Sequence, residues 1–223
     1  MSAAEIWKIT YETIFMTVIS TILAYLVGLP LGVVLSATSK NGIHPNRYLN
    51  SILGVIVNFL RSVPCLILTV ILLPLNRLLV GKGSGVWYAM ILPLFFSSFA
   101  YVARIVEQSL SNVDNGEIEA IRSLGASDWQ LITKVIIPES RSSLIMGVSL
   151  TLVNVIGYTS FAYNIGAGGL ISKIWSFYST HTSDFLTQAV FWLMIVLVVV
   201  IVQLIQESGL LLAKKLDKRK KLK

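Results

Sequence analysis

Residues 185–212, FLTQAVFWLMIVLVVVIVQLIQESGLLL, decide the class of fold. The segment is long enough to cross a membrane, because a spanning helix needs about 20 mostly apolar residues. The whole chain has the same character: of its 223 residues, 55% are hydrophobic and only 13% are charged. Soluble domains are far less apolar. The sequence therefore predicts an all-α, polytopic membrane protein.

Four further apolar runs of comparable length precede this segment, at residues 14–37, 49–73, 86–106 and 144–163. We therefore expect five transmembrane helices in a single domain, residues 1–223, because no polar stretch is long enough for a separate soluble domain. Transmembrane helices tolerate glycine and proline where neighbouring helices pack against them, often with a kink. Such residues are Gly28, Pro30 and Gly32 in the first run, Pro64 in the second and Pro93 in the third.

The positions of Lys and Arg predict the orientation. Five spans put the two termini on opposite sides, and the C-terminal side collects most of the positive charge, so we expect the N-terminus outside and the C-terminus in the cytoplasm. The basic tail, residues 213–223, would contact anionic lipid, which accounts for much of the net charge of +7 without a nucleic-acid partner. The expected cytoplasmic cations are Lys40, Arg47, Arg122, Lys134, Arg141, Lys214, Lys215, Lys218, Arg219, Lys220, Lys221 and Lys223.

The connection between the third and fourth runs, residues 108–143, is longer than a simple hairpin needs, so it is either functional or disordered. Its sequence predicts order. Residues 117–124 form a short amphipathic helix with Ile118, Ile121 and Leu124 along one face. Acidic residues at its start suit the helix dipole.

The residues that follow predict a second helix. Gly125 is expected to end the first helix in a left-handed conformation. Ser127 and Gln130 fit a capping box that opens the second helix, and Pro138 marks its end. The product is a helical hairpin on the cytoplasmic side, whose apolar face packs against the chain's own spans or against a partner.

This segment resembles a known family. Residues 119–126, EAIRSLGA, followed by residues 136–139, IIPE, are similar to the cytoplasmic EAA loop of ABC importer permeases. Ile121 replaces the second Ala of that pattern and Ile137 replaces its Leu, and both keep apolar character. In the family this loop forms a coupling helix that sits in a groove of the ATP-hydrolysing subunit. The resemblance assigns this coupling role to Glu119, Ala120, Ile121, Leu124, Gly125, Ala126 and Pro138.

The resemblance extends along most of the chain and is closest to the methionine importer permeases. Residues 58–64 (NFLRSVP), 155–160 (VIGYTS) and 166–170 (GAGGL) look like segments of these permeases. It implies a homodimer in the bacterial cell membrane, two copies of an ABC ATPase subunit and an extracytoplasmic methionine-binding lipoprotein. ATP and Mg would be used by the ATPase, with no cofactor on this chain. An odd span count also precludes two equal inverted halves, so a closed translocation path needs a second copy.

Arg61 lies inside an apolar run, where an ionisable side chain is costly unless it is paired or hydrated. One interpretation is a functional role in the translocation path. The other is that Arg61 reaches toward the headgroups or ties down the backbone near Pro64.

A polar stripe marks the fourth run. Thr151, Asn154 and Tyr158 share one helix face, which should contact protein or water rather than lipid. One interpretation is that the stripe lines the translocation path, with Phe161 near a gate. The other is that it forms hydrogen bonds between helices.

Several functional classes are disfavoured. The chain has no GxxxxGK[ST] string and no HExxH string, so neither ATP binding by a P-loop nor metal-dependent hydrolysis is expected. Glu107 is the acid clearly near a span interior, and Arg104 can pair with it, which argues against proton coupling. The single cysteine, Cys65, excludes an intrachain disulfide and is expected in the core. A permease for another amino acid, a gradient-driven carrier or channel, and a membrane scaffold remain as alternatives.

Overall fold

The computed structural model describes residues 2–180 and 188–217, and the regular structure within them is helical. The start of the predicted last span, at residues 185–187, and the tail cations from Lys218 onward lie outside these residues. The α-helices are α1 (Ala3–Thr38), α2 (Arg47–Ser62), α3 (Cys65–Ile71), α4 (Leu73–Val80), α5 (Ile91–Leu110), α6 (Asn115–Ser123), α7 (Asp128–Leu131), α8 (Ile137–Glu139), α9 (Arg141–Tyr158), α10 (Leu170–Thr180) and α11 (Ala189–Leu216).

Four helical segments in the described part of the chain are long and apolar enough to cross a membrane. They correspond to the first, third, fourth and fifth predicted runs. Helix α1 begins earlier than predicted, because Ser2 and Glu5 form a capping box at its N-terminus. It also continues through Pro30. The segments are Ala3–Thr38, Trp87–Leu110, Arg141–Ile165 and Ala189–Leu216.

The second predicted run is not one straight helix. It is divided into α2 and α3, which are bent by 87° relative to each other, so the span count is four, or five if the bent pair is one span. The physical reason is Pro64, which lacks an N–H and disfavours the helical conformation at the preceding residue. Accordingly Val63 is extended, with φ −78° and ψ 116°.

Helices α1 and α5 form the most extensive packing contact of the molecule. Two glycines one turn apart allow it. A Cβ at Gly28 would lie 2.6 Å from the carbonyl oxygen of Phe99, and one at Gly32 would lie 2.6 Å from that of Ala103. Small residues let transmembrane helices approach to backbone contact in this way. Gly28 and Gly32 therefore lie at the contact between α1 and α5.

One end of the bundle gathers the hairpin, the α1–α2 loop and the end of α11. Arg122 in α6 donates a hydrogen bond of 2.8 Å to the carbonyl of Ile43 in the loop. Arg141 at the start of α9 donates one of 3.0 Å to the carbonyl of Leu216 at the end of α11. We call this the hairpin end.

The opposite end holds the start of α1 and the glycine-rich turn at residues 166–169. Gly169 donates its N–H to the Glu12 carboxylate over 3.1 Å, and Leu170 donates to the Thr13 hydroxyl over 2.7 Å. Gly168 and Gly169 have φ of 83° and 87°, a region that glycine adopts without strain. The two termini of the described chain therefore lie at opposite ends, as the odd number of predicted spans requires.

Candidate functional site

The turn of the hairpin follows the sequence prediction closely. Helix α6 is capped by Asp114, whose carboxylate accepts from Gly116 N–H at 2.7 Å. Gly125 has φ +87° and ends α6 in the left-handed region. Ser127 and Gln130 form the predicted capping box, with hydrogen bonds of 2.9 and 3.4 Å. The hairpin tip is thus fixed by local backbone chemistry.

The second arm of the hairpin is less regular than predicted. Helix α7 continues into a π-helical turn, Ile132–Ile136, and then into α8, Ile137–Glu139. Pro138 lies in the first turn of α8, so the arm continues one residue past it. The structure tolerates Pro138 there because the first positions of a helix need no N–H donor.

The inner face of the hairpin packs on the membrane bundle. Ile118, Ile121 and Ala126 contact a core cluster that includes Leu110 and Leu131. The apolar face was expected to pack against the chain's own spans or against a partner, and these three residues pack against the chain's own spans.

Two polar contacts anchor the hairpin to the α1–α2 loop. Arg122 donates both to the Ile43 carbonyl at 2.8 Å and to the Asp128 carboxylate at 2.9 Å. His44 contacts the other oxygen of Asp128. Hydrogen bonds from Arg122 and then from His44 hold the pKa of Asp128 below its usual range. This anchor was not predicted, because its partners are separated by about 80 positions in the chain.

The outer face of the hairpin presents two large apolar side chains. Leu124 is 86% exposed and Trp129 is 74% exposed. Leu124 was predicted on the same face as Ile118, but α6 ends at Ser123 and the turn directs Leu124 outward. Trp129 was missed, although an aromatic residue in a polar stretch was a usable signal. Both side chains belong to the hairpin rather than to a span, so an interaction surface at the hairpin stays a prediction.

The remaining predicted coupling residues surround this tip. Glu119 and Ala120 are exposed on α6, and Pro138 is exposed on the second arm. Glu119 also lines a cavity of about 560 Å³ between the hairpin, the α1–α2 loop and the end of α1. Lys40 and Arg122 line the same cavity.

Within the bundle, Arg104 is fully engaged. Its guanidinium pairs with Glu107 at 2.6 Å, as the sequence predicted. It also donates to the Gly54 carbonyl at 3.1 Å and to the Asn58 side chain at 2.9 Å, both in α2. Arg104 therefore joins α5 to α2, while Glu107 neutralises its charge.

Arg61, in the last turn of α2, has a different environment. It is exposed, and its guanidinium lies 5.9 Å from the ring centre of Tyr101 in α5. Tyr158 in α9 packs against the core cluster that contains Cys65, the first residue of α3. Cys65 is buried in the core as predicted. Residues from three elements thus meet near the bend at Pro64.

The polar stripe of α9 is divided between two environments. Thr151 is fully buried, and its hydroxyl donates to the Gly147 carbonyl at 2.8 Å. It therefore packs inside the protomer and does not face an open space in this structure. Asn154, Tyr158 and Phe161 are partly exposed. Burial, which sequence periodicity cannot give, separates Thr151 from the other three.

Known proteins share both the sequence and the fold. A family model described as the binding-protein-dependent transport system inner membrane component matches residues 28–218. The chain is 40% identical over 219 residues to the probable D-methionine transport system permease protein MetI of Pasteurella multocida, covering 96% of this chain and 99% of that protein. It is 39% identical over 216 residues to the methionine import system permease protein MetP of Bacillus subtilis, covering 96% and 95%.

Solved structures agree. A chain of the MetNI methionine ABC transporter, in an inward-facing conformation, matches with a TM-score of 0.88 and 34% identity over 97% of this chain and 99% of that chain. A chain of an amino acid ABC transporter with histidines has a similar fold, with a TM-score of 0.69 and 18% identity over 97% of this chain and 94% of that chain.

Proposed function

Because this chain belongs to the family of binding-protein-dependent transport system inner membrane components, we propose that it is the permease subunit of an ATP-driven importer that moves methionine across the bacterial cell membrane. It is a multi-pass membrane protein. The similarity to the MetI and MetP permeases over nearly the whole chain supports methionine as the cargo.

The exposed hairpin tip is the observation that carries the mechanism. Leu124 and Trp129 stand out from the hairpin end, while Arg122 and Asp128 hold the hairpin on the bundle. A rigid apolar tip can seat in a groove of a partner, and a rigid attachment can transmit the partner's motion to the spans. We assign the partner as an ABC ATPase, one copy for each hairpin of a permease homodimer.

The homodimer provides the translocation path. Each protomer contributes the partly exposed residues Asn154, Tyr158 and Phe161 together with Arg61. ATP-driven closure of the two ATPases moves the hairpins and switches access from one side of the membrane to the other. An extracytoplasmic methionine-binding lipoprotein delivers cargo to the end of the bundle formed by the glycine-rich turn at residues 166–169. This orientation places the N-terminus outside and the hairpin end in the cytoplasm, as the distribution of Lys and Arg favours.

The test is co-purification of the ATPase with a hairpin variant. Gly125→Pro places a ring that fixes φ near −65° at a position with φ +87°, and it removes the N–H that donates to the Arg122 carbonyl. We expect at least a tenfold loss of bound ATPase and of ATP-driven methionine uptake in proteoliposomes that also contain the binding lipoprotein.

Gly81→Pro is the matched control. Gly81 also follows a helix, has φ +74°, has open space around it and donates its N–H to the Arg77 carbonyl. It lies after α4, away from the hairpin. We expect this variant to retain the ATPase. Equal retention by both variants would remove the hairpin from the mechanism, and uptake driven by an ion gradient without ATP would favour a secondary carrier instead.

A further inference from the structure

Arg61 carries a positive charge that the described part of its own chain leaves unneutralised. Within residues 2–180 and 188–217, its guanidinium makes no ion pair with a carboxylate, and its described contact is with the face of the Tyr101 ring. Arg104 in α5 shows the contrast, because Glu107 neutralises it and Asn58, one turn before Arg61 in α2, accepts its hydrogen bond. Two arginines therefore lie near each other in the bundle, and one of them is available to a ligand.

The depth of Arg61 argues against contact with lipid headgroups. It lies fourteen residues beyond Arg47, the first residue of α2, which corresponds to about 21 Å along the helix axis. Arg61 also lies beside Tyr101, ten residues into α5 (Ile91–Leu110), so both side chains are near the middle of a helix long enough to cross about 30 Å of hydrocarbon. Helical side chains lean toward the helix N-terminus, which directs Arg61 away from the opposite headgroups. A charge at this depth needs water or a counter-ion.

The neighbours of Arg61 suit a carboxylate. Tyr101 supports the guanidinium by its ring face, which leaves the N–H fork free. Tyr158, on a different helix, packs against the core cluster that contains Cys65, four residues after Arg61, and so brings a phenolic group near the bend that carries this guanidinium. A planar guanidinium binds a carboxylate through two parallel hydrogen bonds, and a phenol adds a donor. The aromatic faces also provide apolar contact for a thioether side chain.

We propose that Arg61 and Tyr158 bind the carboxylate of the amino-acid cargo within the translocation path, with Tyr101 as a positioning residue for the guanidinium. The site takes the α-carboxylate of a zwitterionic amino acid and supplies a counter-charge where the cargo has left bulk water. Because Arg61 lies in α2 and Tyr158 in α9, the bound cargo would contact both helices. This inference rests on the proposed function as an amino-acid permease.

Uptake measurements test the counter-charge. The assay uses the complete complex in proteoliposomes, with permease, ATPase and binding protein, and radiolabelled L-methionine. We expect Arg61→Gln to lower uptake by about ten- to hundredfold, the range for losing a charge-assisted hydrogen bond, while the ATPase still co-purifies and hydrolyses ATP. Arg61→Lys keeps the positive charge but lacks the planar guanidinium, so its uptake should lie between that of the wild type and that of Arg61→Gln. Arg47→Gln makes the same charge change at the other end of α2 and should leave uptake unchanged.

Three outcomes of this assay are decisive. Wild-type uptake from Arg61→Gln would overturn the proposal, as would equal loss from Arg61→Lys and Arg61→Gln, because the charge would then have no role. Failure of the wild type itself to take up methionine would instead overturn the proposed function. The two failures are therefore distinguishable.

A binding measurement tests the carboxylate directly. Saturation-transfer NMR on the permease–ATPase complex in nanodiscs, without binding protein, compares L-methionine with L-methioninamide, which lacks the carboxylate. We expect the wild type to prefer methionine, Arg61→Gln to lose most of that preference, and Arg61→Lys to lose only part of it. Methionine that binds elsewhere on the complex would give the same signal with Arg61→Gln and Arg61→Lys as with the wild type. Equal binding of the two compounds to the wild type, or an undiminished preference in Arg61→Gln, would overturn the proposal.

Discussion

Replacing Glu107 by Gln removes the acidic partner of Arg104, the residue that joins α5 to α2, and we expect it to lower the free energy of unfolding by about 3–4 kcal/mol. The variant leaves Arg104 with a positive charge inside the bundle and no carboxylate beside it. The side chains of Arg104 and Glu107 are 20% and 16% exposed, so solvent screens them little. Arg104 would keep its hydrogen bonds to Gly54 and Asn58, which limits the loss.

The magnitude follows from the geometry. The closest nitrogen and oxygen of the pair are 2.6 Å apart. With charge centres about 4 Å apart and an effective dielectric constant of about 20, the attraction is about 4 kcal/mol. Removing one partner of a buried pair typically costs about 3–5 kcal/mol, because the other charge remains desolvated. The two figures agree.

The assay is a double-mutant cycle with Glu107→Gln, Arg104→Gln and the double variant, each unfolded reversibly by SDS in mixed micelles. We expect the double variant to be more stable than Glu107→Gln alone, because it no longer contains an uncompensated charge. Glu117→Gln, at an exposed position of α6, is the control and should change stability by less than about 0.5 kcal/mol. A loss below about 1 kcal/mol for Glu107→Gln, or additive losses in the cycle, would refute the reasoning.

Two further predictions concern the bundle and the hairpin. Gly32→Val should destabilise the protein by about 2 kcal/mol or more in the same SDS unfolding assay. The reason is that a Cβ at this position would lie 2.6 Å from the Ala103 carbonyl oxygen. Unchanged stability would show that α1 and α5 are not tightly packed there. Arg122 and His44 depress the pKa of Asp128, so the anchor is present at neutral pH and is lost as pH falls below about 4, through the depressed pKa. The protection factors of the hairpin amides, which correct for the slower intrinsic exchange in acid, should therefore fall at low pH in the wild type, and Asp128→Asn should lower them already at neutral pH. Equal exchange in the two proteins at neutral pH would contradict this prediction.

The hairpin could be predicted residue by residue where its chemistry is local. The left-handed Gly125 and the capping box of Ser127 and Gln130 each depend on residues within one turn of each other, and the structure contains both. The outward direction of Leu124 was not predictable from helical spacing, because it depends on where α6 ends. Helix ends are the least certain part of a sequence prediction.

The membrane spans show the same division. The approximate positions of four spans follow from apolar runs, because a membrane requires a minimum length of apolar helix. The sequence shows a proline at position 64 but does not show that the helix bends by 87° there. Transmembrane helices accommodate proline both with and without a break. Pro30, which α1 includes in its interior, shows the other outcome.

The sequence by itself determined the membrane fold, the hairpin and the family, because apolar length, local capping and contiguous motifs are all short-range properties of the chain. Only the tertiary structure decided which polar residues are satisfied and which remain available. The sequence already paired Arg104 with Glu107, but only the tertiary structure shows that Arg104 also bonds to α2, while Arg61 lies exposed beside Tyr101. Thr151 and Asn154 share one helix face, yet packing buries the first completely. Such differences arise from long-range packing between helices, which periodicity along one helix does not encode.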